Sequence, residues 1–91
     1  MSGNDLGMRR RRALWRATHR GSKEMDFLLG RFAEREVEAM DDAEIASFER
    51  LIEMPDPTIE ASVREGHSLG DHDLDELIAR VRRFHGLTSA R

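Results

Sequence analysis

The 91-residue chain has no cysteine and no tyrosine, and it has one tryptophan and two prolines. Without cysteine there are no disulfides, thiolate metal sites or thiol nucleophiles. Scarce proline and absent tyrosine favour helix over sheet. No apolar run approaches the roughly 18 residues of a membrane span, and the Arg-rich start is not followed by a secretory hydrophobic region. The expected location is therefore the cytoplasm, or the mitochondrial matrix if the source is eukaryotic. Asp5 and the lack of a Ser-rich leader argue against reading the start as a mitochondrial targeting segment. A chain this short buries only a modest core and has little room for a large internal active site.

Charge is abundant, at 36% of residues against 38% hydrophobic, as in a folded helical protein. The net charge of -3 hides an uneven distribution. Residues 1–23 hold seven Arg or Lys and one Asp, residues 24–63 hold three and twelve acids, and the rest balances at five each. Such a chain is expected to meet a protein partner rather than a polyanion.

Residues 1–8 carry two glycines and no periodicity, so they read as a flexible lead to a helical domain over 9–86, with 87–91 as a tail. A first helix is predicted from about Arg9 to His19, with Leu14, Ala17 and Thr18 on one face and Trp15 beside it. Gly21 is placed to end it and Ser22 to cap the next. The second helix, about Lys23 to Met40, has Met25, Leu29, Phe32, Ala33, Val37 and Met40 on one side, with Phe27 off the stripe. Asp41 and Glu44 have capping-box spacing ahead of a third helix carrying Ile45, Phe48, Leu51 and Ile52 inward. In "MPDPTIEASVREG", Pro55 stops that helix, Asp56 is expected to cap, Pro57 to take the first helical position and Gly66 to end a short fourth helix on Ile59 and Val63. A fifth is predicted from about Asp71 to His85 on Leu74, Leu77, Ile78, Val81 and Phe84, stopped by Gly86. The fold class is all-α, a compact five-helix bundle in a single small domain.

Few motifs carry chemistry. Arg9 to Arg12 have the charge to meet phosphates, which makes a small nucleic-acid-binding helical regulator, using these and Arg16, the alternative function. The acidic remainder and a pI near 5.8 oppose it, leaving no nucleic acid among the expected partners. His67, Asp71, His72 and Asp73 lack regular ligand spacing, so no metal site is expected. His19 and His85 fall at helix C-termini, where the dipole favours an imidazolium. Ser22, His19 and Asp26 imitate a triad without an oxyanion loop, and neither a GxGxxG nor a P-loop is present, so no catalytic and no cofactor-binding residue is assigned. "RGSKEMD" remains, Arg20 to Asp26. It is a helix corner whose charges suit the two dipoles, built round a glycine that lets a partner's backbone come close.

"LWRATHRGSKEMDFLLGRFAE" followed by "FERLIEMPDPTIEASV" resembles the succinate dehydrogenase assembly factor 2 family, whose bacterial members are called SdhE. The first segment is similar to the family's RGxxE motif with its downstream acid and helix, and the resemblance runs from about Arg11 to Phe84. It implies a five-helix fold and an assembly factor, not an enzyme. Such a factor binds the flavoprotein subunit of succinate dehydrogenase, with fumarate reductase as a second candidate client, and promotes covalent attachment of FAD. FAD is then the cofactor of the client, and the covalent chemistry belongs to FAD and the client's histidine. The factor's part is to hold the client domains in a near-attack arrangement. Arg20, Gly21 and Glu24 match the motif and Asp26 the acid after it, so these four are the implied client-binding residues, pointing outward from one edge. Arg20 is expected to orient the acidic pair or to touch the client. The chain is expected to be a monomer that does not insert into membrane. Many relatives carry a Trp near the position of Ser62, a departure that falls on the expected outer face of the fourth helix.

Overall fold

The computed structural model describes residues 2–87. Within them the chain forms α1 (Ser2–Thr18), α2 (23–39), α3 (Asp42–Ile52), α4 (Asp56–Glu65) and α5 (His72–Phe84), with no strand among the described residues. α2 is composite. It opens as α-helix over Lys23–Met25, widens into a π-turn over Asp26–Gly30, resumes as α-helix over Arg31–Glu36 and tightens into a 3-10 turn over Val37–Ala39.

The predicted stripes form the core. Met25, Leu29, Phe32 and Val37 of α2, Met40 just past its end, Ile45, Phe48 and Leu51 of α3, Ile59 and Val63 of α4 and Val81 of α5 are all buried. The π-turn adds Leu28 to the buried side and leaves Phe27 exposed. Asp41 and Glu44 form the capping box at the start of α3, each side chain accepting the other's backbone N–H at 2.9 Å. Gly66 ends α4 at φ 77°, and Gly86 follows α5 at φ 72°.

Four local expectations need correction. α1 begins at Ser2 rather than Arg9, and Leu6, inside the supposed lead, packs against the core. Ala13, absent from the expected face of Leu14, Ala17 and Thr18, is buried with Ala17, and their small side chains let the neighbouring helices come close, while Leu14 packs against the core partly buried and Thr18 is half-buried. Asp56 does not cap α4: Pro55 is the N-cap residue and Asp56 the first helical one. Finally, Ser62 is 1% exposed, so it faces the core and not the outer surface of α4.

The charge asymmetry also has an internal use. Arg9 on α1 reaches Asp42 and Glu49 of α3, and Arg16 reaches Glu53 just past its end. Arg10 donates to the Met40 carbonyl at 2.6 and 3.0 Å. The basic helix is laid along the acidic one, so part of the asymmetry is neutralised within the fold. Of the four-arginine run, Arg11 and Arg12 are exposed and Arg9 and Arg10 half-buried. That weakens the nucleic-acid alternative at its only motif.

Two carboxylates tie down the connection between α4 and α5. Asp71 accepts the Leu74 N–H at 3.1 Å as the N-cap of α5 and pairs with Arg50. Asp75 accepts the Leu69 N–H at 2.7 Å and the Ser68 hydroxyl. Those backbone N–H donors, Leu74 for Asp71 and Leu69 for Asp75, are the leading causes that hold both carboxyls below their ordinary pKa. A carboxylate whose pKa is depressed in the fold stabilises it above the unfolded-state value, and the contribution fades as pH falls through the folded one. Melting temperature should therefore drop as pH is lowered below about 4. Asp75→Asn should melt lower at neutral pH and lose less on acidification. An acid limb of the same steepness in that variant would contradict the assignment.

Candidate functional site

The corner between α1 and α2 is built from backbone outward. α1 ends at Thr18, and Gly21 turns the chain at φ 97°, a left-handed conformation that costs side-chain-bearing residues roughly 1–2 kcal/mol. Ser22 is extended and its hydroxyl accepts the Met25 N–H at 3.1 Å, capping α2. Asp26 folds back to accept the Arg20 N–H at 3.0 Å, closing the turn from the other side.

Arg20 is not an outward residue, and it does not orient Glu24 and Asp26 with its guanidinium. Its side chain is 10% exposed and reaches across to the α3–α4 corner. Nε donates to Asp56 at 2.8 Å, Nη1 to the Ile52 carbonyl at 2.7 Å, and Nη2 to the Met54 carbonyl at 3.0 Å and to Asp56. Ile52 is the last residue of α3, whose carbonyl has no partner within its own helix. The guanidinium thus sits at the negative end of α3, and Asp56 in the first turn of α4 sits at a positive one.

Of the four expected client-binding residues, two face out. A Cβ built on Gly21 meets nothing within 4 Å, so the turn leaves open space above the backbone. Glu24 is exposed and pairs with Arg64 of α4, which also pairs with Glu60 at 3.0 Å. Exposed pairs of this kind contribute about 0–1 kcal/mol, so Glu24 gives up Arg64 at little cost when a better cation arrives. Arg20 and Asp26 instead hold the corner in shape.

Beside Gly21 lies a feature that sequence reasoning undervalued. Trp15 is 60% exposed and stacks on His19 with ring centroids 4.2 Å apart and planes 10° from parallel. His19 Nδ1 and the Trp15 carbonyl are 2.8 Å apart, which fixes the ring. The two rings, with Arg16, Arg20 and Asp56, line an open depression of about 270 Å³. The spacing of four between Trp15 and His19, at the end of α1 and just past it, was the available signal, since residues so spaced share a helix face.

The remaining candidates disperse. Ser22 is committed to its cap, His19 to Trp15 and Asp26 to the Arg20 N–H, so the three do not assemble as a triad. Asp71 is bound to Leu74 N–H and Arg50, and His67 approaches Glu65 at 3.2 Å, away from any shared ligand set. His72 and Asp73 instead converge with Glu76 within 4.8 Å, all three exposed on the first turns of α5. Among the described residues, no helix is long and apolar enough to cross a membrane.

The family model described as flavinator of succinate dehydrogenase matches residues 11–85, a span that includes the whole corner. A curated protein of Acetobacter pasteurianus, FAD assembly factor SdhE, is 43% identical over 56 residues, covering 62% of this chain and 51% of that relative. The chain therefore spans about half the length of the curated relative it matches. No solved structure matches it.

Proposed function

This chain belongs to the flavinator of succinate dehydrogenase family, and on that premise we propose that it is an FAD assembly factor. It binds the flavoprotein subunit of succinate dehydrogenase, with fumarate reductase as a second client, and promotes covalent attachment of FAD there. The observation that carries this reading is the exposed, left-handed Gly21 with open space over it, next to an exposed and weakly held Glu24, on the residues that match the family motif.

Gly21 lets the client's backbone come into contact where any side chain would stand in the way. Glu24 exchanges Arg64 for a client cation or N–H donor. Arg20 and Asp26 act through the corner: one locks it to α3 and α4, the other closes its turn. The covalent step belongs to FAD and the client. What a small helical partner contributes is binding energy that favours one arrangement of the client's domains, in which the reacting groups meet.

Co-expression with the flavoprotein subunit, followed by in-gel flavin fluorescence under denaturing conditions, tests this. Gly21→Arg fills the open space and should abolish stimulation. Glu24→Ala should reduce it roughly tenfold, the effect of about 1.4 kcal/mol of lost binding. Wild-type levels of covalent flavin with both variants would overturn the assignment of this corner.

A further inference from the structure

α2 does not end its exposed face at Glu24. Phe27 and Arg31 follow at steps of three and four, so the three share one side of the helix, and all are exposed. Phe27 is 52% exposed, a large apolar side chain left out of a core that takes its neighbours on either side of the stripe. It is nevertheless held in place. Its ring lies 5.0 Å from the His85 ring, which in turn lies 4.9 Å from Phe84, itself 37% exposed. His85 is pinned from behind, its Nε2–H donating to the Leu28 carbonyl within the π-turn at 2.7 Å. The Arg31 guanidinium stands over the Phe27 ring at 5.8 Å. Among the described residues neither Arg31 nor Arg83, at the same end of α5, has a carboxylate partner, a lack they share with Arg11, Arg12 and Arg35, whereas Arg9, Arg16, Arg50, Arg64 and Arg80 each have one.

We infer that Phe27, Phe84 and His85, flanked by Arg31 and Arg83, are a second contact for the flavoprotein client. They receive an apolar client surface bordered by carboxylates. This rests on the docking role of the Gly21–Glu24 corner, with which the patch is continuous along α2. A pre-positioned aromatic ring loses little conformational freedom on binding and buries much area, which suits it as an anchor. A guanidinium already stacked on that ring keeps its outer N–H groups for a carboxylate. The charge on the rim selects an acidic border and disfavours a basic one. The pairing of α2 with the end of α5 through His85 explains why the patch is rigid although it is exposed.

The test is the affinity of the full chain for immobilised flavoprotein subunit, measured by biolayer interferometry and accompanied by thermal melts. Phe27→Asp should weaken binding by roughly tenfold or more, since an anchor is replaced by a charge, while the melting curve stays that of wild type. Arg31→Glu should weaken it severalfold and flatten its dependence on salt. If Phe27→Asp binds like wild type while Glu24→Ala binds weakly, the patch inference is overturned and the docking corner stands. If wild type itself does not bind the subunit, the docking reading fails and takes the patch with it. If Phe27→Asp turns a dimer of the free chain into a monomer and leaves client affinity unchanged, the patch belongs to a second copy and the inference is also overturned.

Discussion

Arg20→Ala should cost about 2–4 kcal/mol of folding stability, more than any change at the exposed residues of the motif. The variant leaves the Ile52 and Met54 carbonyls without their donor and Asp56 without its cation, in a corner where the arginine was 10% exposed. A domain of this size has roughly 5–14 kcal/mol in total, so the melting temperature should fall by roughly 10–25 °C. Arg20→Lys should recover little of this. An ammonium keeps the charge but cannot present three directed N–H groups to a carboxylate and two carbonyls at once. The functional consequence is distinctive. Arg20→Ala should lower covalent flavin in cells by reducing the amount of folded protein, and partial recovery is expected at lower growth temperature. Glu24→Ala should lower it with a wild-type melting curve. A melting temperature for Arg20→Ala within about 3 °C of wild type would refute the structural role and return Arg20 to the client-contacting set.

This division of the motif was not legible in the sequence. Arg20 and Glu24 look equivalent there, two charged residues flanking a glycine at a helix corner. What separates them is a partner 36 positions away in the chain. Asp56 was hidden for a related reason. An acid before a proline has the local pattern of a helix cap, yet its carboxylate serves Arg20 and the cap position falls to Pro55. The internal use of the arginine run was hidden for the same reason, because net charge along a chain does not reveal that α3 lies alongside to neutralise it. The helical stripes were legible, since burial of a face at steps of three and four is decided by residues near one another. So were the Asp41–Glu44 box and the Gly66 stop, which are local hydrogen-bond and backbone problems. The start of α1 was not: two glycines outweighed Leu6 in a local reading, while in the fold Leu6 has a core to pack against. Nor was the π-turn, which has no composition of its own and is seen only once Leu28 and His85 are in contact.

Gly30 sets how closely α1 and α2 approach, and Gly30→Val should be the second strongly destabilising change. Its backbone is ordinary right-handed helix, at φ -66° and ψ -44°, so conformational freedom is not what it supplies. A Cβ placed there would lie 3.2 Å from the Ala17 carbonyl oxygen, 3.3 Å from Thr18 Cγ2 and 3.4 Å from Thr18 Cα. Two of these neighbours are backbone, which yields only if the whole helix moves. Alanine therefore sets a helix-propensity gain of about 1 kcal/mol against a squeeze of a few tenths of an ångström, and its net effect should be within about 1 kcal/mol of zero. Valine adds two methyl groups in the same gap. It should cost about 2–3 kcal/mol and lower the melting temperature by roughly 10–20 °C. Because α1 ends at Thr18, the residue Gly30 touches, any displacement is passed directly to the corner that follows. Gly30→Ala is thus the more informative variant for function: a protein that melts like wild type but attaches less flavin to its client would show that the spacing of α1 and α2 sets the pose of Gly21 and Glu24. Gly30→Val with a wild-type melting curve would show that the close approach is not a constraint.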